Sequence, residues 1–259
     1  MKWLRKASWV SRAALLGALL VIVVMFSQDI LNAYEYSVDK IFPSAARAAA
    51  YGDKHFDGAK PGAYSLDRAE YFYQEAAARD PQYPYVYHQL GRIEFLKGNF
   101  NTALFYLNKQ IELHGDDAPN SYYVRGLIEG FKGDYAAAIK DYERYLTFDE
   151  RNWAALNDYA WVLLKADKPV QALVATTKGL QSFPENPWLL NSNATALFEL
   201  KRYEEANTQA QKAAALVQHL NETDWMKVYP GNDPRVAEEG IKALEDNRDC
   251  FLFWIEKLW

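Results

Sequence analysis

Residues able to do chemistry are few in this chain and far apart. The four histidines are His55, His88, His114 and His219, and no two stand at the spacing of paired metal ligands. A single cysteine, Cys250, excludes an intrachain disulfide and any multi-cysteine metal cluster. Beside Phe251 it reads as a small buried hydrophobe rather than a nucleophile. The sequence holds no Gly-x-Ser-x-Gly elbow, no phosphate loop, no Gly-rich dinucleotide turn and no His-Glu-x-x-His. Asp116-Asp117 reads as a solvated turn. Asn193-Ala194-Thr195 and Asn221-Glu222-Thr223 match the glycosylation pattern. The first falls inside a helical segment and is discounted; the second matters only in a eukaryotic secretory setting. A net charge of −5 argues against a nucleic-acid-binding face. The expectation is therefore a protein with no catalytic residue, no metal and no cofactor, whose chemistry is that of a recognition surface.

Such a surface needs elements to carry it, and residues 84–218 supply them by repetition. Gly91, Gly126, Ala160 and Ala194 lie 35, 34 and 34 residues apart. Twelve residues after each stands an alanine: Ala103, Ala138, Ala172 and Ala206. Nine after each stands a ring: Phe100, Tyr135, Pro169 and Tyr203. A period near 34 with small residues at fixed offsets marks stacked helix–turn–helix units. The small residue of each first helix faces the alanine of the second, so the two backbones approach closely. Leu90, Phe100, Leu107, Tyr135 and Tyr142 fill the stack around those crossings. The turns read Lys97-Gly98-Asn99, Lys132-Gly133-Asp134, Ala166-Asp167-Lys168 and Leu200-Lys201-Arg202. Gly98 and Gly133 suit the positive φ that ends a helix, and Pro169 suits a first helical position.

This pattern resembles the tetratricopeptide repeat family over about half the chain. The resemblance implies an all-α fold, an α-solenoid of four units at about 84–118, 119–152, 153–186 and 187–218. The departures are local. Gly115 and Glu150 stand where the family often has proline, Pro184 fits, and the late small position reads Gln110, Tyr145, Gly179 and Ala213. The first helices of such arrays line a concave groove that holds a protein or peptide partner. The resemblance places His88, Arg92 and Phe95 there from the first unit, Tyr123 and Leu127 from the second, Asn157 and Trp161 from the third, and Asn191 and Thr195 from the fourth. The family's carboxylate clamp does not carry over. Its positions read His88, Arg92, Val124, Ala154 and Asp158 here, and Asp158 has the wrong sign.

Both flanks differ from the array. Residues 1–12 form a basic N-terminus with Lys2, Arg5, Lys6 and Arg12. Ala13–Phe26 is free of charge, and a span over 13–31 reads as a transmembrane signal-anchor. Counting back to Trp9 gives about 27 Å of helix if Arg12 snorkels, close to a core of roughly 30 Å. Leu31 is a poor residue three before a cleavage point, which favours an uncleaved anchor; the chain is secreted if the segment is cut. The positive flank predicts a cytoplasmic N-terminus and repeats outside the cytoplasm. Residues 32–62 read as a linker in which alanine-rich Ser44–Tyr51 forms a short helix, and 63–83 as a degenerate half-repeat. Residues 219–259 read as a capping helix and an apolar tail, Phe251–Trp259, that covers the last unit, contacts a membrane or partner, or mediates self-association; the alternatives to a scaffold are a regulatory subunit of an envelope enzyme and a self-assembling structural protein.

Overall fold

A computed structural model describes residues 44–58 and 62–217. The basic N-terminus, the 13–31 span, the sequon at Asn221 and the 219–259 tail lie outside the described residues, which contain no helix long and apolar enough to cross a membrane. Ten α-helices and no strand make up the described residues. They are α1 (Ala45–His55), α2 (Leu66–Arg79), α3 (Val86–Leu96), α4 (Phe100–His114), α5 (Pro119–Lys132), α6 (Tyr135–Leu146), α7 (Trp153–Lys165), α8 (Pro169–Ser182), α9 (Pro187–Glu199) and α10 (Tyr203–Val217). They pack as consecutive pairs into a solenoid, with α3–α4, α5–α6, α7–α8 and α9–α10 following the four intervals of the period.

The small-residue crossings hold each pair together. Ala103, Ala138, Ala160, Ala172 and Ala194 are fully buried, and Ala206 nearly so. A Cβ on Gly91 would sit 3.3 Å from the Ala103 carbonyl oxygen and 2.7 Å from Leu107 Cγ. One on Gly126 would sit 3.2 Å from the Ala138 carbonyl oxygen. Backbones this close leave no room for a larger residue on the first helix. The turn after each first helix then repeats one backbone conformation. Gly98 and Gly133 have φ of 80° and 85°, and Asp167 and Lys201 take 58° and 62° at the equivalent places. Pro119, Pro169 and Pro187 stand in the first turns of their helices, and Asp134, Asn152 and Asn186 accept cap hydrogen bonds from backbone N–H groups. The short 3₁₀ turn Gly115–Asp117 absorbs the extra residue of the 35-residue step.

The segment before the array differs from the sequence reading. Glycine and proline argue against a regular partner helix for Leu66–Arg79, yet α1 runs through Gly52 to His55 and packs on α2. Gly52 is what permits it. A Cβ there would lie 2.6 Å from Tyr73 Cε1, so the glycine is the socket for a ring that is 1% exposed. Tyr73 Oη then donates to Asp53 Oδ1 at 2.7 Å. Where a half-repeat is expected, the chain forms a helix pair, and its cluster of Ala48, Ala69, Tyr73 and Ala76 continues into Leu90 and Ile93 of α3.

Between α5 and α6 lies a buried charge cluster. Arg125 donates from Nε and Nη2 to both oxygens of Asp141, at 2.6 and 2.7 Å, and from Nη1 to Asn108 of α4 at 2.8 Å. Glu129, one turn on, is 4.0 Å from Arg125 Nε. Burial, then the neighbouring Asp141 charge, pushes the Glu129 carboxyl up to about 7, against the opposing pull of Arg125. A raised folded value means that the folded chain holds this proton more tightly than the unfolded chain. The stabilisation is complete below the ordinary glutamate value near 4.5, decays as pH rises, and is gone above about 7. Glu129→Gln should therefore flatten the fall in stability between pH 5 and 8. It should protect α5 and α6 at pH 8 by about 1–3 kcal/mol, read by hydrogen exchange.

Candidate functional site

First helices of successive units touch one another: α3 meets α5, α5 meets α7, and α7 meets α9, whereas successive second helices make no comparable contact. The row of closer elements is the inner side of the curve, so the inner face is built from α3, α5, α7 and α9.

A chain of hydrogen bonds crosses this face. Tyr123 Oη on α5 donates to Asp158 Oδ2 on α7 at 2.6 Å. Asn157 Nδ2 donates to Asp158 Oδ1 at 3.2 Å, and Ser192 Oγ on α9 donates to Asn157 Oδ1 at 2.8 Å. Three helices are thus tied by side chains that stay only partly buried. Beneath them, the Tyr123 ring rests on Tyr142 and Tyr145 of α6, with centroids 5.8 and 5.3 Å away. Burial pushes the Asp158 carboxyl up to about 6, although the Tyr123 and Asn157 hydrogen bonds oppose the shift. The carboxyl is therefore mostly ionised at neutral pH.

A second track runs along the C-terminal ends of the same helices. The rings of Phe95 on α3 and Phe131 on α5 are 5.7 Å apart, and those of Phe131 and Trp161 on α7 are 5.2 Å apart. Phe100 backs the first two from the start of α4. Trp161 reaches this place because Gly130 has no side chain; a Cβ there would lie 2.7 Å from the indole. Phe131 is 56% exposed, so the ladder presents aromatic area rather than closing a core.

The sequence-predicted residues divide between these roles. Tyr123 and Asn157 belong to the polar track, Phe95 and Trp161 to the aromatic one. His88 is set apart, buried at 7% exposure with Nδ1 3.1 Å from Ser121 Oγ, and burial lowers its pKa to about 3. It is a neutral group between α3 and α5, with no ring face free for a partner. Arg92 donates to Gln89 Oε1 at 3.0 Å and lies 4.7 Å over the Phe56 ring, and burial lowers its pKa. Leu127 packs partly into the α6–α9 core. Thr195 Oγ1 donates back to the Asn191 carbonyl at 3.0 Å, while the Asn191 side chain stays half-buried. Asn193 is 4% exposed and donates from Nδ2 to Thr176 Oγ1 at 2.9 Å, so no glycan fits on the first sequon.

Sequence reasoning missed Asp158 as a site residue, and also Ser192 and Phe131. The signal was available for the first two. Asp158 stands 35 residues after Tyr123, and Ser192 stands 35 after Asn157. Residues one period apart occupy neighbouring first helices, where a hydroxyl and a carboxylate or amide can meet. Gln110 was also missed. It stands at the late small position, is 1% exposed, and its Oε1 accepts from the His88 backbone N–H at 3.1 Å. That bond caps the N-terminus of α3, whose own flanking residue Tyr85 makes no side-chain cap. Among the described residues, no group of three histidine, cysteine, aspartate or glutamate side chains could hold a metal ion.

Comparison with known proteins agrees with this geometry. A family model described as tetratricopeptide repeat matches residues 84–117 and 119–152. Those two segments, α3–α4 and α5–α6, are thus similar to tetratricopeptide repeats. No curated protein matches the sequence. Among solved structures, YrrB, "a TPR protein with an unusual peptide-binding site", is 15% identical with a TM-score of 0.58, covering 70% of this chain and 91% of its own. MamA is 21% identical with a TM-score of 0.57, covering 67% and 92%. A tetratricopeptide repeat protein from Parabacteroides merdae is 17% identical with a TM-score of 0.56, covering 82% and 78%. At these identities the likeness is one of fold.

Proposed function

We propose that this protein is a non-catalytic scaffold, tethered to a membrane by residues 13–31, whose inner repeat face holds a protein or peptide partner outside the cytoplasm. The observation that carries the binding role is the side-chain chain Tyr123–Asp158–Asn157–Ser192 across α5, α7 and α9. Polar groups held this way at partial exposure keep hydrogen-bonding capacity toward a ligand at little further ordering cost. The peptide-binding site announced for YrrB, on a similar fold, supports the same reading. The tether rests on the basic flank and apolar run of the N-terminal sequence, and the side of the membrane on the position of that flank.

One experiment addresses both parts. Single cysteines replace Asn191 on the inner face and Lys140 on an outer helix, in a Cys250→Ser background. Cells with an intact plasma membrane are treated with a membrane-impermeant maleimide carrying a benzophenone, then irradiated. The expected result is labelling at both sites without permeabilisation and one dominant adduct at position 191 only. Labelling that needs permeabilisation overturns the topology. Equal adducts at 191 and 140 overturn the groove.

A further inference from the structure

Among the described residues, the inner face carries a negative charge that no cation neutralises. Asp158 accepts, among the described residues, only from Tyr123 and Asn157, both neutral donors, and no cationic group among them contributes to its ionisation. By contrast, Asp141, buried between α5 and α6, has its own arginine. A carboxyl gripped by two donors has lone pairs to spare, since each oxygen can accept twice. Holding an ionised carboxyl in a partly desolvated place without a cation is costly, and a partner cation removes that cost. The missing partner is thus defined by sign and by geometry.

The aromatic ladder defines a second requirement. Tyr123 and Phe131 stand eight residues apart on α5, about 12 Å along the helix. The polar and aromatic tracks therefore flank a strip on the inner face, and both run across the first helices rather than along them. An extended chain laid across those helices advances about 3.3 Å per residue and sends alternate side chains to opposite sides. Neighbouring helix axes about 8–10 Å apart are crossed every three residues or so. Such a segment presents one row of side chains to Phe95, Phe131 and Trp161 and the other to Asp158.

Resting on the groove reading above, we infer that the partner is an extended peptide segment that sets a lysine or arginine on Asp158 and an apolar or aromatic side chain on the Phe95–Phe131–Trp161 ladder. Arginine suits the position best, because its planar fork can meet the carboxylate oxygens while stacking on the neighbouring Tyr123 ring. An acidic segment is disfavoured by the same charge.

The test uses the full chain in detergent and a random 12-mer peptide library displayed on phage. Enrichment of peptides with a basic residue and an apolar residue on opposite sides of an extended segment is expected. The best synthetic peptide should lose at least tenfold in affinity against Asp158→Asn, which keeps the Tyr123 and Asn157 neighbours, and against Phe131→Ala, an exposed ring whose removal spares the core. Exchanging the peptide's basic residue for glutamate should abolish binding to the natural chain and restore it to Asp158→Lys. Enrichment of acidic or purely apolar peptides overturns the inference. So does unchanged affinity for Asp158→Asn. If the adduct at position 191 forms in cells while either of these occurs, the groove stands and only the cation site falls. If the library yields no binder and no adduct forms, both fall together.

Discussion

Replacing Asp141 with alanine is expected to cost about 3–5 kcal/mol, the loss typical of removing one partner from a buried ion pair. Asp141 is 5% exposed and accepts two hydrogen bonds from Arg125. The guanidinium left behind keeps Asn108, a distant Glu129 and the Tyr122 ring as neighbours. It lies between α4, α5 and α6 with 21% of its side chain exposed, so solvent reaches only part of the charge. Glu129 offers a partial rescue. With the Asp141 charge gone, burial and the Asp134 charge still raise its carboxyl, but the largest neighbouring repulsion is removed and Arg125 is left to attract it. The variant should therefore be destabilised and at the same time lose part of the pH dependence that Glu129 confers, the part due to burial remaining. Hydrogen exchange of 119–146 between pH 5 and 8 reads both effects. An array unfolds unit by unit, so this local measurement is preferable to a single melting temperature. Full retention of protection at pH 7 would show that the pair contributes nothing to the stack.

What the sequence showed of this fold is what a fixed backbone crossing imposes. Gly91 against Ala103 and Gly126 against Ala138 recur because two backbones must meet there, and the recurrence is visible without coordinates. The turns were legible for the same reason, although Asp167 and Lys201 reach the left-handed region without being glycine. Helix α1 was legible only to Tyr51, where the alanine-rich run ends, because Gly52 reads as a breaker on its own. Only the Tyr73 ring lying against it turns a breaker into a packing socket. The site was half legible. Period and resemblance place residues on a first helix, but not on its inner side. His88 is turned into the α3–α5 contact at Ser121, and Phe131 onto the exposed ladder, by contacts between helices that no single repeat encodes.

Tyr142 is the place where size and polarity make opposite demands, and its two substitutions should separate them. The ring is fully buried, 5.8 Å from Tyr123 and 6.0 Å from Tyr159, and its Cδ2 lies 3.3 Å from where a Cβ on Gly126 would be. Tyr142→Ala empties that space in the middle of the α5–α7 packing, and a loss of about 3–5 kcal/mol is expected. The Tyr123 ring loses its support as well, so its hydroxyl should drift from Asp158 and peptide affinity should fall with stability. The hydroxyl of Tyr142 itself has no hydrogen-bond partner among the described residues, although it is buried. Burial raises its pKa well above the ordinary value, so it stays a neutral, unsatisfied dipole. Tyr142→Phe removes that dipole and keeps the ring. It should leave the fold as stable or stabilise it by about 1 kcal/mol, with peptide affinity unchanged. Urea titration of the helical circular dichroism signal distinguishes the two variants. A loss above about 1 kcal/mol for the phenylalanine would mean that the hydroxyl has a hydrogen-bond partner after all. The packed ring, rather than its polar end, is what holds the second and third units at the angle the inner face requires.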